Sequence, residues 1–147
     1  MDKIMVAAIC LPSQEEVLLP QWLSYFDQIQ YAPNQLENYI TKPNTQDLDK
    51  NTFVNMGRMD IFSIALSNNI DWVLLLDINL KADIDIIYQM LKPAHPFVIK
   101  NVDGQKIIML HKSIFKELDF TSDLTLDADD LLIDSVEKTS GIEPFFI

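Results

Sequence analysis

Short apolar runs alternate with amphipathic stretches along the first two thirds of the chain. The runs at 5–11 and 72–76 predict strands buried on both faces, as in a parallel sheet, and 36–41 is a weaker strand candidate. Stretches at 20–29, 50–67 and 84–91 place apolar residues three and four apart, which predicts helices. This β-α-β-α-β-α order predicts a mainly parallel sheet with helices on both faces.

Capping and helix-breaking residues set the expected bounds of these helices. Pro20 fits a first helical turn, where its missing N–H costs nothing, and Asp83 is expected to cap the third helix. The side chains expected to face the core are Leu19, Trp22, Leu23, Phe26 and Ile29 in the first helix, Met59, Phe62 and Leu66 in the second, and Ile84, Ile87, Tyr88 and Leu91 in the third.

The last third of the chain has a different pattern. Two apolar runs, 97–100 and 106–110, flank Asp103-Gly104, which predicts a β-hairpin near one edge of the sheet. Ser113 is expected to cap a short helix that ends near Leu118. A final helix is expected over 128–139, with Asp127 as its N-cap and Gly141 in the left-handed position after its C-terminus.

Length and composition indicate one globular domain. The chain has 147 residues, of which 48% are hydrophobic, enough for a real core. Nowhere do about 18 apolar residues run together, so no membrane span is expected. The first residues lack the features of a signal peptide, and we expect a cytoplasmic location.

Charge narrows the classes of ligand. The net charge is −11, and Arg58 is the single arginine, so a broad nucleic-acid interface, which needs clustered basic residues, is disfavoured. An acidic chain also repels a phosphate ligand unless a cation intervenes. The composition therefore favours a metal-assisted nucleotide site, with Mn²⁺ or Mg²⁺, over a metal-free one.

The segment 71–79 is where the pattern first points to chemistry. An apolar strand ends in Asp77-Ile78-Asn79, and ligands bind at the carboxyl ends of strands in open α/β sheets. Asp77 and Asn79 can offer oxygen ligands to a divalent metal. They can equally cap a turn at the end of the strand.

Further acidic and polar residues are candidates on similar grounds. Asp129 or Asp130 can act as a general base, although Asp127, Asp129 and Asp130 also suit the positive N-terminal end of a helix. Ser13 and Glu15 follow the first strand and can contact a nucleotide. Arg58 can pair with a phosphate or with an acid such as Asp60 or Asp77, and a structural ion pair is favoured. The remaining candidates, assigned structural roles, are His95 and His111.

Seven segments together resemble a known family. They occur in the same order as in the GT-A-type glycosyltransferases, in particular the family 2 nucleotide-sugar enzymes, which the sequence resembles. The matching segments are 5–23, 31–40, 56–65, 71–80, 84–91, 108–120 and 126–136. The segment 71–80 resembles the family's Asp-x-Asp metal motif, and 126–136 resembles the segment with its acidic pair on the acceptor side.

The resemblance implies a single GT-A-like, Rossmann-like domain over 1–147 and a function. A sugar would pass from a nucleotide-sugar donor to an acceptor hydroxyl, metal-assisted and with inversion. Asp77 and Asn79 would hold the metal, Ser13, Glu15, Arg58 and Asp77 would contact the nucleotide, and Asp129 or Asp130 would be the base. The sequence does not specify the donor or the acceptor.

Departures from the family pattern support alternatives. Asn79 stands where the family has a second carboxylate, and the loop at 41–47 has no close counterpart of the acid that holds the nucleobase. One alternative is a catalytically inactive GT-A-like domain used as a binding or assembly module, with a protein partner or a second copy completing it. Another is a flavodoxin-like or response-regulator-like domain, which a continuous five-stranded parallel sheet without the hairpin would favour.

Overall fold

A computed structural model describes residues 2–11, 15–32, 36–42, 49–79, 82–120 and 123–147. The strands are β1 (Ile4–Ile9), β2 (Leu36–Thr41), β3 (Trp72–Leu75), β4 (Phe97–Val102), β5 (Gln105–His111) and β6 (Phe145–Phe146). The helices are α1 (Glu15–Phe26), α2 (Lys50–Ser67), α3 (Ile86–Leu91), α4 (Lys112–Phe115) and α5 (Ala128–Ser140).

These strands form one mixed sheet in the order β2-β1-β3-β5-β4-β6. The pairs β1–β2, β1–β3 and β4–β6 are parallel, whereas β5 is antiparallel to both β3 and β4. The predicted hairpin is present, and both turn residues, Asp103 and Gly104, have positive φ, as a two-residue hairpin turn requires. The mixed α/β fold class is therefore confirmed, and the antiparallel pairs and the hairpin argue against the flavodoxin-like or response-regulator-like alternative.

Alternation along the central strands divides the core between two faces. Ile4, Val6 and Leu74 point to one face, where α1 and α3 pack, while Met5 and Val73 point to the other, where α2, α4 and α5 pack. Every one of these five strand residues is at most 1% exposed. Among the first three helices, α1 and α3 lie on one face of the sheet and α2 on the other, as the early β-α alternation predicted.

Several predictions of where a helix begins and of which helix residues are buried were wrong. Pro20 lies inside α1 rather than in its first turn, and Leu23 is exposed while Tyr25 is buried. The helix begins at Glu15, earlier than the proline suggests, and Trp22 and Ile29 are buried as predicted. In α2 and α3 the expected Met59, Leu66, Ile84 and Tyr88 are exposed; the buried residues are Phe53, Asn55, Gly57, Arg58, Ile61, Phe62 and Ala65 in α2, and Ile86, Ile87 and Met90 in α3.

The helix caps were predicted with mixed success. Asp85, not Asp83, is the N-cap of α3, and His111, not Ser113, is the N-cap of α4, where its Nδ1 accepts a hydrogen bond from Ser113 N at 3.2 Å. The α5 caps are confirmed, since Asp127 accepts hydrogen bonds at its start and Gly141 follows it at φ 72°. The two-residue strand β6 is too short to produce a sequence pattern.

Candidate functional site

A pocket of about 280 Å³ opens at the carboxyl ends of the parallel strands β1 and β3. These strands are hydrogen-bonded neighbours, so their ends lie side by side. The pocket floor is formed by Ala7, Ala8 and Ile9 from β1 and by the run from Leu75 to Asp77 at the end of β3. This is the edge where open α/β sheets bind ligands.

Three other elements complete the walls of this pocket. α2 contributes residues from its first three turns, the β4–β5 hairpin contributes its turn, and α5 contributes its N-terminal end. The lining residues from these elements are Lys50, Asn51, Val54, Arg58 and Ile61, then Gly104, Gln105 and Lys106, then Asp127, Ala128 and Asp129. Residues distant in sequence therefore meet at one edge of the sheet.

Asp77 occupies the position that the strand pattern predicted. Its carboxylate is exposed at the pocket, and its Oδ1 accepts a hydrogen bond from the Asn79 backbone N–H at 2.8 Å. Its Oδ2 accepts none from the described part of the chain. Asn79 is exposed and is not among the residues that line the pocket. Asp77 therefore caps the turn through Oδ1, and its Oδ2 is available to a ligand in the pocket.

The three acids at the start of α5 have different positions. Asp127 Oδ1 caps the helix, accepting hydrogen bonds from the N–H groups of Asp129 and Asp130 at 3.1 and 3.0 Å. Asp129 lines the pocket, whereas Asp130 is exposed and is not a lining residue. The capping role explains Asp127, and only Asp129 of the two candidate bases reaches the pocket.

Arg58 connects α2 to the start of α5. It is 8% exposed, and its Nη1 donates to the carbonyl of Ala128 at 2.8 Å while Nη2 contacts Asp129 Oδ1 at 2.7 Å. The structural ion pair was expected, but with the wrong acid. Asp60 instead accepts hydrogen bonds from the hydroxyls of Tyr39 and Thr41 at 2.9 and 2.7 Å.

Asn55 holds the same region and was missed by the sequence analysis. It is fully buried one turn before Arg58, and its Nδ2 donates to the carbonyls of Leu124 and Leu126 at 2.8 and 3.2 Å. The available signal was a polar pair, Asn55 and Arg58, three residues apart on a helix with apolar neighbours. Together the two side chains fix the segment that leads into α5.

Lys50 and Lys106 were also missed, because neither belongs to a recognisable motif. Neither side chain makes an ion pair or hydrogen bond within the described part of the chain. Of the formally charged residues that line the pocket, three are basic and three acidic, in a chain with net charge −11. The pocket is thus much less negative than the remainder of the protein.

Two of the predicted nucleotide contacts are not placed. Ser13 lies outside the described residues, and for Glu15 the structure describes only its backbone, at the first position of α1. Their contacts with a nucleotide stay a prediction.

The titratable groups with clear shifts lie outside this pocket. Burial raises the pKa of Tyr25 to about 12, and burial also lowers the pKa of His111. His95 Nδ1 accepts a hydrogen bond from Phe97 N at 3.1 Å, so both histidines have local structural contacts, as expected. Their positions give no support for a histidine in the pocket's chemistry.

A divalent metal can be held here only together with other ligands. Within the described residues, no three His, Cys, Asp or Glu side chains are grouped as a metal site. Asp77 and Asn79 can supply one carboxylate and one amide oxygen. That set suits Mg²⁺, which is commonly bound by one or two carboxylates with substrate phosphates and water. The residues fit a metal that arrives with a diphosphate.

Comparison with solved structures identifies the fold. A cytidylyltransferase from Leptospira borgpetersenii serovar Hardjo-bovis superposes with a TM-score of 0.62 at 15% identity, covering 100% of this chain and 76% of that one. A glycosyltransferase involved in the glycosylation of the major capsid of PBCV-1 gives a TM-score of 0.55 at 12% identity, covering 98% of this chain and 81% of that one. The fold is GT-A-like.

A third structure extends the comparison to a liganded protein. It is a mutant Drosophila β-1,4-galactosyltransferase 7 in complex with manganese, UDP-Gal and xylobiose, with a TM-score of 0.57 at 14% identity. It is matched over 99% of this chain and 65% of its own length, so the GT-A-like domain described here spans less than two thirds of that chain. By sequence, no family model and no curated protein matches. No helix among the described residues is long and apolar enough to cross a bilayer.

Proposed function

We propose that this protein is a glycosyltransferase that moves a sugar from a nucleotide-sugar donor to an acceptor hydroxyl. The observation that carries the proposal is that one pocket, at the ligand-binding edge of a GT-A-like sheet, contains both Asp77 and Asp129. Two of the solved structures with this fold are glycosyltransferases, which supports the class of reaction.

Asp77 would organise the donor's diphosphate. The available Oδ2 of Asp77, with Asn79 at the same turn, would hold Mn²⁺ or Mg²⁺. When bound, such an ion offsets negative charge on the leaving nucleoside diphosphate. The hydrogen bond from Asn79 N fixes the orientation of the Asp77 carboxylate before any ligand binds.

Asp129 would act as the general base. Arg58 engages its Oδ1, and the second oxygen accepts no hydrogen bond from the described residues, so that oxygen can take a proton. As the acceptor hydroxyl loses its proton to Asp129, its oxygen would form a bond to the anomeric carbon. The bond from that carbon to the diphosphate oxygen would break on the opposite face, which inverts the configuration. The exposed position of Asp130 favours Asp129 for this role.

A second candidate function is a GT-A-like binding module without catalytic activity. The observation that favours it is the size of the pocket, about 280 Å³, at the small end of ligand sites. The missing second carboxylate at Asn79 agrees with it. This candidate predicts a stable fold without nucleotide affinity and a protein partner that co-purifies.

The decisive experiment is calorimetric titration of the folded protein with nucleoside diphosphates, nucleoside triphosphates and nucleotide sugars. Each ligand is measured with Mn²⁺, with Mg²⁺ and with a chelator. Metal-dependent binding of one nucleotide sugar, lost in Asp77→Asn and kept in Asp27→Asn, supports the transferase. Preference for a triphosphate instead indicates nucleotidyl transfer, and absence of binding at millimolar ligand indicates the binding module.

A further inference from the structure

The pocket contains two lysines, Lys50 and Lys106. Lys50 is the first residue of α2, and Lys106 is the second residue of β5, so both are held by regular structure. Both line the pocket, and neither forms an ion pair within the described residues.

Lys92 and Lys116 also form no ion pair within the described residues, but Lys50 and Lys106 are the two that line the pocket. The chain has 22 acidic residues for 11 basic ones, so a lysine has many available carboxylates. Lys3, Lys100, Lys112 and Lys138 each pair with one. The charged side chains that line the pocket sum to zero in a chain of net charge −11, and two lysines that pair with no acid among the described residues would attract an anion there.

The acids of the pocket are engaged elsewhere or only partly available. Asp129 is paired with Arg58, and Asp127 accepts two backbone hydrogen bonds at the start of α5. Asp77 is the remaining acid, and its Oδ1 is used by Asn79 N. Capping hydrogen bonds do not remove the charge of Asp127, so the charges lining the pocket balance. The two lysines, unlike Arg58, are not paired with a pocket acid and can therefore donate to a ligand.

We propose that Lys50 and Lys106 bind the diphosphate of the ligand directly, giving the pocket affinity for it without a metal. This inference rests on the proposed function, since it assigns further ligands within the same site. Ammonium groups donate charge-assisted hydrogen bonds to phosphate oxygens, and each lysine can donate up to three. Asn79 is an uncharged amide and holds a cation more weakly than a carboxylate would. The two lysines would supply positive charge to the phosphates in its place.

The test uses inorganic pyrophosphate as the probe, in EDTA, by calorimetry. Wild-type protein is compared with the double variant Lys50→Gln, Lys106→Gln and with the control Lys92→Gln, Lys116→Gln. The control removes the same charge from exposed lysines outside the pocket. We expect the first variant to lose roughly tenfold in affinity and the control to stay within about twofold. Raising the salt should weaken wild-type binding more than binding by the first variant.

Two results would overturn the inference: no pyrophosphate binding by the wild type in EDTA, or equal losses in both variants. Failure of the proposed function has a different signature. If pyrophosphate binds through the two lysines but no nucleotide sugar binds, the lysine pair stands and the transferase does not. If a nucleotide sugar binds with Mn²⁺ alone and the lysine variant is unaffected, the transferase stands and the lysine pair does not.

Discussion

The two ends of strand β3 carry aspartates with opposite environments. Asp71 precedes the strand, and its carboxylate accepts hydrogen bonds from Lys3 N and Lys112 Nζ, both at 2.8 Å. Asp77 follows the strand and accepts one hydrogen bond from the described residues, from the Asn79 N–H within its own turn. The Asp71 side chain is 17% exposed, whereas Asp77 is exposed at the pocket.

This difference separates a structural carboxylate from an available one. At the amino end, Asp71 joins the starts of β1, β3 and α4, because the backbone groups of Lys3 and Lys112 also bond to it. At the carboxyl end lies the pocket, where Asp77, Lys50 and Lys106 form no ion pair within the described residues. Substitutions at the first end should alter stability, and substitutions at the second should alter binding.

The largest effect on stability is expected at Arg58, which lines the pocket and also joins α2 to α5. Arg58→Met would leave the Ala128 carbonyl and the Asp129 carboxylate without their partner, and we expect a loss of about 3 kcal/mol in the free energy of unfolding. Urea titration measures it, with Arg58→Lys as the charge-preserving control. A loss under about 1 kcal/mol would show that the contacts of Arg58 with Ala128 and Asp129 are not important for stability.

The second effect concerns binding at Asp77. Asp77→Asn keeps a side-chain acceptor for the Asn79 N–H but removes the charge, so stability should change by less than about 0.5 kcal/mol. Metal-dependent nucleotide binding should weaken by about thirtyfold. Calorimetry with Mn²⁺ tests this against Asp27→Asn, an exposed acid outside the pocket. Unchanged affinity would exclude Asp77 from the donor site.

The third effect is a pH-dependent loss of stability at Asp71. The hydrogen bond from Lys112, supported by that from Lys3 N, holds the pKa of the Asp71 carboxyl below its usual 3.8 against the opposing effect of burial. Its contribution is therefore present above about pH 4 and is lost as the pH falls through the folded-state pKa. Asp71→Asn should cost about 1 kcal/mol at pH 7, and the difference should shrink below pH 4.

Urea titrations of wild type and Asp71→Asn between pH 7 and pH 2.5 measure this difference. Asp134→Asn is the matched control, because Asp134 pairs with Lys138 on an exposed helix face and should contribute little. A difference between wild type and Asp71→Asn that is constant with pH would mean that the ionised carboxylate is not what stabilises the amino end.

The smallest effect is expected at Gly57, where α2 approaches β1 beneath the pocket. An added Cβ would lie 2.9 Å from Ile9 Cδ1 and 3.2 Å from Thr41 Cγ2, so Ile9 must move. Better helix propensity offsets this crowding, and Gly57→Ala should change stability by less than about 1 kcal/mol. Because Ile9 lines the pocket, pyrophosphate affinity should still change. Ser63→Ala, exposed on the same helix, should leave affinity unaltered.

The sequence predicted elements well where a local pattern is complete. The bounds of β2 and α2, the hairpin turn at Asp103-Gly104 and the caps at Asp127 and Gly141 are confirmed. Buried faces were less predictable, because an exposed Met59 or Leu66 has the same local pattern as a buried one. Which side of α2 meets the sheet depends on close contact at Gly57 and on the polar pair Asn55 and Arg58.

The candidate site was predictable in part for the same reason. Asp77 could be placed at a ligand-binding edge because the end of a short apolar strand is a local feature, and the capping role of Asp127 is local as well. The ion pair between Arg58 and Asp129, and the convergence of Lys50 and Lys106 on one pocket, join residues from separate elements. No spacing along the chain encodes those distances.

By itself, the sequence determined that the chain would form an α/β sheet covered on both faces, with a hairpin after the alternating units, since hydrophobic period and turn chemistry act over a few residues. The tertiary structure decided which carboxylates are held by partners and which remain available. That choice depends on how strands and helices from distant parts of the chain are brought together around the sheet, where burial and long-range contacts, not local propensity, set each group's environment.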